Sequence, residues 1–238
     1  MPLGKIKALH FDVFGTVVDW RSSVIAELKI FGKNKGIELD WAQFADDWRD
    51  LYQPSMEAVR CGDREWRSLD KLHQESLITL ISRHQITGLT EEEIDHLNKA
   101  WHRLNPWPDS VQGLTRLRTK YILATLSNGN VSLLVNMAKN AGLPWDAILG
   151  AEPNRAYKPL PQCYLGNARY LDLEPAQCML VAAHNSDLAS ARKHGYRTAF
   201  ICRPTEYGPG QDVDTKAESD WDIVTDSMNG VADALGCV

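Results

Sequence analysis

The first periodic feature of the chain is short. Residues 6–11 alternate and then run apolar, the pattern of a strand buried on both faces, and the run ends at Asp12. Similar runs recur much later, at residues 121–127, 147–150, 178–183 and 197–201. Segments of helical period separate them, at residues 131–141, 161–171 and 187–194, the last stopped by Gly195. Strands alternating with helices predict an α/β fold: a Rossmann-like parallel sheet with helices on both faces.

The stretch after the first strand breaks this rhythm. Within it, "DREWRSLDKLHQESLITLI" sets Trp66, Leu69, Leu72, Leu77, Leu80 and Ile81 near helical spacing. Thr90 followed by Glu93 forms a capping box at the head of a further helix. The pattern predicts a helical cap, residues 19–105, inserted between two parts of an α/β core, residues 1–18 and 106–238. "NPWPDS" marks the return to the core. Trp48, Trp66 and Phe14 are the aromatic residues expected nearest a pocket.

Open parallel sheets bind ligands outside the carboxyl ends of their strands. Those ends here carry Asp12, the Ser127–Asn128 pair, and the turn "AAHNSD" with His184 and Asp187. A cap that leaves directly after the first strand lies over the same edge, so four separate segments converge on one cleft.

Composition acts mainly by exclusion. The chain has 238 residues and a formal net charge of -5, with basic residues scattered, which argues against a nucleic-acid partner. Its five cysteines are odd in number and form no C-x-x-C pair, so neither a zinc site nor a disulfide framework is expected. The start "MPLGKIKALHF" lacks the apolar core of a signal peptide, and no apolar run reaches membrane-spanning length. The expectation is a cytoplasmic protein with no membrane partner.

Asp12 is either a turn former or a nucleophile, since a carboxylate can attack an electrophile, form an ester and be regenerated by water. Lys158, in "AYKPLP", offers an ammonium that would keep Asp12 ionised, or else is a solvated surface lysine. Thr16, Ser127 and Asn128 can donate to a bound anion, and the last two can instead cap the following helix. Arg49, in "DDWRDLYQ", either reaches the cleft or pairs with Asp46 along its own helix. His184 either bonds a ligand, near charge balance at neutral pH, or is a buried histidine bonded to backbone.

Taken together, "FDVFGTVVDW", "LSNG", "YKP" followed by Tyr164, and the Asp that ends "VAAHNSD" resemble the four signature motifs of the haloacid dehalogenase superfamily. Within it the pattern resembles the (S)-2-haloacid dehalogenases, type II. The resemblance implies hydrolysis of short 2-haloalkanoic acids to 2-hydroxy acids through an aspartyl ester, with no metal and no other cofactor. Asp12 would displace halide, and Thr16 and Ser127 would hold the substrate carboxylate. Lys158 and Asp187, supported by Tyr164, would activate the water. Arg49 and Asn128 would face the halide. It also implies a possible homodimer.

The departures are informative. Superfamily phosphatases resemble one another in a D-x-D pair whose second acid protonates the leaving group, and Phe14 stands at that place. Ala182 and Ala183 replace the acids or serines of the last motif, and His184 stands where an asparagine is familiar. His184 is therefore expected to adjust the halide site, even to the point of admitting fluoride. The rival expectations are a haloacetate or fluoroacetate dehalogenase, a magnesium-dependent phosphatase of the same superfamily, and a non-catalytic anion-binding module.

Overall fold

The computed structural model describes residues 3–238. Its strands are β1 (Ala8–Phe11), β2 (Val18–Asp19), β3 (Asn105–Pro106), β4 (Ile122–Thr125), β5 (Cys178–Ala182), β6 (Arg197–Ile201) and β7 (Ile223–Thr225). Five of them form a parallel sheet in the order β4-β1-β5-β6-β7. With β4 on one side and β5 on the other, β1 is fully enclosed, which is why its run is apolar apart from His10. His10 stands edge-on to Tyr196 at 5.5 Å, and burial pushes its imidazole down to about 4, so it stays neutral.

Two strand expectations change. Residues 147–150 form no regular strand and make only isolated bridges, Ala147 to Ala124 and Gly150 to Ser127. The Thr125 side chain takes over the pairing there, donating to the Leu149 carbonyl at 2.7 Å and accepting from the Leu149 amide at 3.0 Å. At the far edge β7 adds a strand of three residues that the apolar pattern did not reveal.

The helices before β3 are α1 (Trp20–Lys35), α2 (Trp41–Asp50), α3 (Tyr52–Arg60), α4 (Leu69–Arg83) and α5 (Glu91–Asn98). They lie between β2 and β3, which pair antiparallel, Val18 with Pro106 and Asp19 with Asn105. The chain thus leaves for the helical layer and returns from it through one small ribbon. Glu93 and Thr90 make the reciprocal capping box at α5. Trp66 falls outside α4, in the preceding loop, where its ring packs on Tyr157 at 4.7 Å. The interior of the layer is aromatic: Trp20, Trp48 and Trp101 are fully buried, and the Trp48 indole donates to the His73 carbonyl at 3.0 Å.

The remaining helices are α6 (Ser110–Arg118), α7 (Val131–Ala141), α8 (Ala151–Asn154), α9 (Pro161–Tyr170), α10 (Asn185–Lys193) and α11 (Met228–Ala234). A polar seam joins the layer to the core: Asp70 on α4 meets His102 at 2.9 Å and accepts from Asn130, just before α7, at 2.8 Å. No helix among the described residues is long and apolar enough to cross a membrane.

Candidate active site

β1 delivers Asp12 to a tight turn at the sheet's carboxyl edge. The Asp12 amide bonds the Val181 carbonyl of β5 at 3.1 Å, and the chain folds back with Val17 N bonding Val13 O at 2.9 Å. Gly15 adopts φ +83°, the left-handed region where a side chain is strained. A Cβ there would also run into the carboxylate of Glu206.

The Asp12 carboxylate is gripped from three sides. Lys158 Nζ donates to Oδ1 at 2.9 Å, Thr16 donates its hydroxyl to Oδ2 at 2.8 Å, and His184 Nδ1 lies 3.2 Å from Oδ2. The same ammonium donates to Asp187 Oδ2 at 2.5 Å, and the Tyr164 hydroxyl donates to Asp187 Oδ1 at 2.8 Å. Lys158 is itself placed by the Asn128 side chain, whose carbonyl accepts from the Lys158 amide at 2.9 Å. Burial opposes the charge on Asp12, but Lys158 and His184 outweigh it and hold the carboxyl well below the usual range. Burial likewise opposes the Lys158 ammonium, and Asp12 and Asp187 reverse that, so its pKa is raised. The nucleophile candidate is ionised and the lysine charged.

His184 bridges two acids. Its Nε2 lies 3.0 and 3.1 Å from the two oxygens of Glu206, a residue only 1% exposed, which also accepts from the Trp20 indole at 3.2 Å. Burial would favour the neutral ring, but Glu206 and Asp12 raise its pKa well above the ordinary value. The expected balance near neutrality is therefore replaced by an imidazolium. With both ring nitrogens against carboxylates, both carry protons. The bonded-to-backbone alternative is also excluded.

A cavity of about 300 Å³ opens between this cluster and the helical layer. Asp12, Phe14, Asn128, Lys158, Tyr164, His184 and Asp187 line it from the core, and Arg49 from α2. Asp46 is taken by Arg21, which bonds both its oxygens at 2.7 Å, so the intrahelical alternative for Arg49 fails. The Arg49 guanidinium lies 4.1 Å over the Tyr52 ring and 5.2 Å from that of Trp20, and its shielded Nη1 has no hydrogen-bond partner.

Thr16 and Ser127 are not on the cavity wall. Both are fully buried: the Thr16 hydroxyl accepts from the Ala183 amide at 2.8 Å while donating to Asp12, and the Ser127 hydroxyl accepts from the Gly129 amide at 3.1 Å. Both hydroxyls are engaged inside the core. Trp48 and Trp66 also stand off the wall, so of the three expected aromatic residues only Phe14 reaches it. Tyr52, Arg60 and Tyr207 line the cavity without having been anticipated, as Glu206 was not. The Tyr52 hydroxyl accepts from the Asn128 amide at 3.1 Å, which leaves its own proton to donate into the cavity.

A divalent cation does not fit this donor set. The Lys158 ammonium already stands between Asp12 and Asp187, the two acids a dication would bridge. Phe14 and Ala183 add no side-chain oxygen.

Residues 6–195 match the family model of the haloacid dehalogenase-like hydrolases. The chain is 29% identical over 205 residues to an (S)-2-haloacid dehalogenase of Xanthobacter autotrophicus, covering 83% of this chain and 76% of that one. Among solved structures, a defluorinating L-2-haloacid dehalogenase superposes with a TM-score of 0.96 at 47% identity, covering 98% of this chain and 96% of that one. Another L-2-haloacid dehalogenase superposes with a TM-score of 0.95 at 46% identity, covering 97% and 99%. The chain belongs to the haloacid dehalogenase-like hydrolases.

Proposed function

We propose that this protein hydrolyses the carbon–halogen bond of short 2-haloalkanoic acids, releasing halide and a 2-hydroxy acid. The observation that carries this reading is an ionised Asp12 at the cavity floor, tied to Asp187 by one ammonium and facing no proton-donating acid at position 14. A phosphate ester needs its leaving group protonated; a halide does not.

Asp12 Oδ1, with a single hydrogen bond against two around Oδ2, is the nucleophile. Its lone pair attacks the halogen-bearing carbon from the rear, the carbon–halogen pair leaves with the halide, and an ester forms. The halide departs on the side away from Asp12, towards the helical layer, where the Arg49 guanidinium on the cavity wall stabilises the developing charge. Tyr52 and Asn128 offer donors to the substrate carboxylate. Water, oriented by Lys158 and Asp187, then attacks the Asp12 carbonyl carbon. Asp187 takes a water proton and returns it to the departing 2-hydroxy acid, and the second water proton goes to solvent as the carboxylate reforms. Closure of the helical layer over the substrate would exclude water during displacement.

A second reading concerns the leaving group. The similarity to a defluorinating enzyme and the Arg49 guanidinium on the cavity wall support fluoride as a halide this site releases.

The test is halide release from 2-chloro- and 2-fluoropropionate with a chelator present, beside Asp12→Asn. Wild type should turn over in chelator, and Asp12→Asn should lose on the order of 10⁴-fold in rate. Activity abolished by chelator, or kept by Asp12→Asn without deamidation, would overturn the reading.

A further inference from the structure

Glu206 has no task in the scheme above, yet it is the most enclosed carboxylate near the cavity, and its approach requires a glycine at position 15. It holds one end of the His184 ring, whose other end faces Asp12 Oδ2. This arrangement does not suit halide binding. An in-line displacement sends the halide away from Asp12, whereas His184 stands at Asp12 itself, with both ring nitrogens engaged by carboxylates. The expected role at the halide site is therefore replaced by another.

From the ring's position we infer that His184, oriented by Glu206, is the oxyanion donor of the second half-reaction. This rests on the aspartyl-ester reading above. Once Oδ1 carries the alkyl group, Oδ2 is the ester carbonyl oxygen, and its neighbours are the Thr16 hydroxyl and His184 Nδ1. Water adds to Cγ, and the carbonyl π pair moves onto Oδ2. That oxygen gains its negative charge between two donors already at 2.8 and 3.2 Å. Collapse returns the pair to the carbonyl, breaks the Cγ–Oδ1 bond, and releases the 2-hydroxy acid carrying Oδ1. His184 keeps its proton throughout. It touches the reacting atoms, while Glu206 acts through it as a positioning residue.

The charge pattern follows the cycle. In the free enzyme the imidazolium lies between two anions; in the ester Asp12 is neutral, and Glu206 alone keeps the ring charged. The other groups around the ring's site are Tyr207 beside Glu206, Arg49 from α2, and the Lys158–Asp187 pair across Asp12. Asp187 answers the Lys158 ammonium while Arg49 remains a like charge, so without Glu206 the ring in the ester has burial and like charge against its proton. Its titration then moves down into the working range. The donor is present below that pKa and lost as pH rises through it.

The experiment separates the two halves of the reaction. Rapid mixing of 2-chloropropionate with wild type, Glu206→Gln and His184→Gln reads the first-turnover halide burst, and intact-protein mass spectrometry reads the ester. Glu206→Gln preserves shape and an acceptor but removes the charge. Both variants should keep a burst within a few-fold of wild type. Both should accumulate the mass of the ester, with its decay slowed roughly a hundredfold. Decay in Glu206→Gln should recover as pH falls from 8 to 5.5, while His184→Gln shows no recovery. The inference is overturned if the burst slows as much as the decay, if neither variant accumulates ester, or if decay in Glu206→Gln has the wild-type pH profile. Absence of any halide burst or ester in wild type would instead sink the aspartyl-ester reading itself. Circular dichroism confirms folding, and a variant that misfolds leaves the other to decide.

Discussion

The two walls of the cavity are built on opposite plans. On the core side every charge is already answered: Asp12 by Lys158, Thr16 and His184, Asp187 by Lys158 and Tyr164, and Glu206 by His184 and Trp20. On the helical side Arg49 keeps an N–H with no partner, cushioned by aromatic rings. The first plan fixes reacting groups in place before any substrate arrives. The second leaves one guanidinium on the cavity wall, flanked by rings, whose charge an anion would complete. Displacement should therefore depend on the Lys158 ammonium that keeps Asp12 ionised, ester hydrolysis on the His184–Glu206 pair, and leaving-group stabilisation on the layer's unfinished charge.

The core plan breaks most severely at its shared cation. Lys158→Met leaves two acids facing each other with nothing between them, and removing one partner of a buried ion pair costs about 3–5 kcal/mol. Halide release should fall at least a thousandfold, and denaturant melts should show the stability loss. The residual activity should acquire an acid limb. Without the ammonium, burial raises the Asp12 pKa, so the nucleophile becomes protonated as pH falls. In wild type the depressed pKa keeps the first half-reaction flat from pH 8 to 5. A variant that loses rate but keeps its stability and a flat profile would show that Lys158 is no charge bridge.

The helical plan predicts a different pairing of effects. Arg49→Leu should slow the halide burst by roughly 10²–10³-fold, the usual consequence of losing one preorganised donor. Thermal stability should change much less than in Lys158→Met, because the burial of the guanidinium and its unpartnered Nη1 work against its attraction to Tyr207, Glu206 and Asp12. Ester decay, measured on enzyme already alkylated, should stay near wild type. Slower decay, or a stability loss as large as that of Lys158→Met, would erase the distinction between the two walls.

This contrast also explains what could be read from residue order. The core chemistry was legible because each group sits at the end of an apolar run or in a short motif: Asp12 after β1, Asn128 after β4, Asp187 at the head of α10. The orientation of the small hydroxyls was not. Thr16 and Ser127 have the right chemistry for an anion, but the tight turns aim both at neighbouring backbone or carboxylate groups instead. Glu206 was invisible for another reason. It lies in "RPTEYGPGQD", a loop with no period, and becomes a site residue only through contacts with Trp20 and His184, far away in the chain. In the layer, "DREWRSLDKLHQESLITLI" showed helical spacing, but Trp66 fell outside α4, where its ring packs on Tyr157. Arg49 was visible as a residue but not as a free donor, because that depends on Arg21 having claimed Asp46.

The smallest effect should arise where the two walls touch. Arg60 at the end of α3 donates to the Lys158 carbonyl at 2.8 Å, and its other contacts, Glu57 and Gln53, are on its own helix. This bond holds the helical layer against the loop that carries the shared ammonium. A hydrogen bond from a charged group contributes about 1.5–3 kcal/mol when well shielded and less when water competes. Arg60 is half-buried, so the lower part of that range applies. Arg60→Met keeps much of the stem and removes only the donor. The specificity constant for 2-chloropropionate should fall three- to tenfold, with ester decay nearly unchanged and the melting temperature lowered by a few degrees. The bond would then couple the position of the layer to displacement, the step in which both walls must meet the substrate. If decay falls with it, the bond instead positions Lys158 for the water, and Arg60 belongs to the core's interlocked set rather than to the layer.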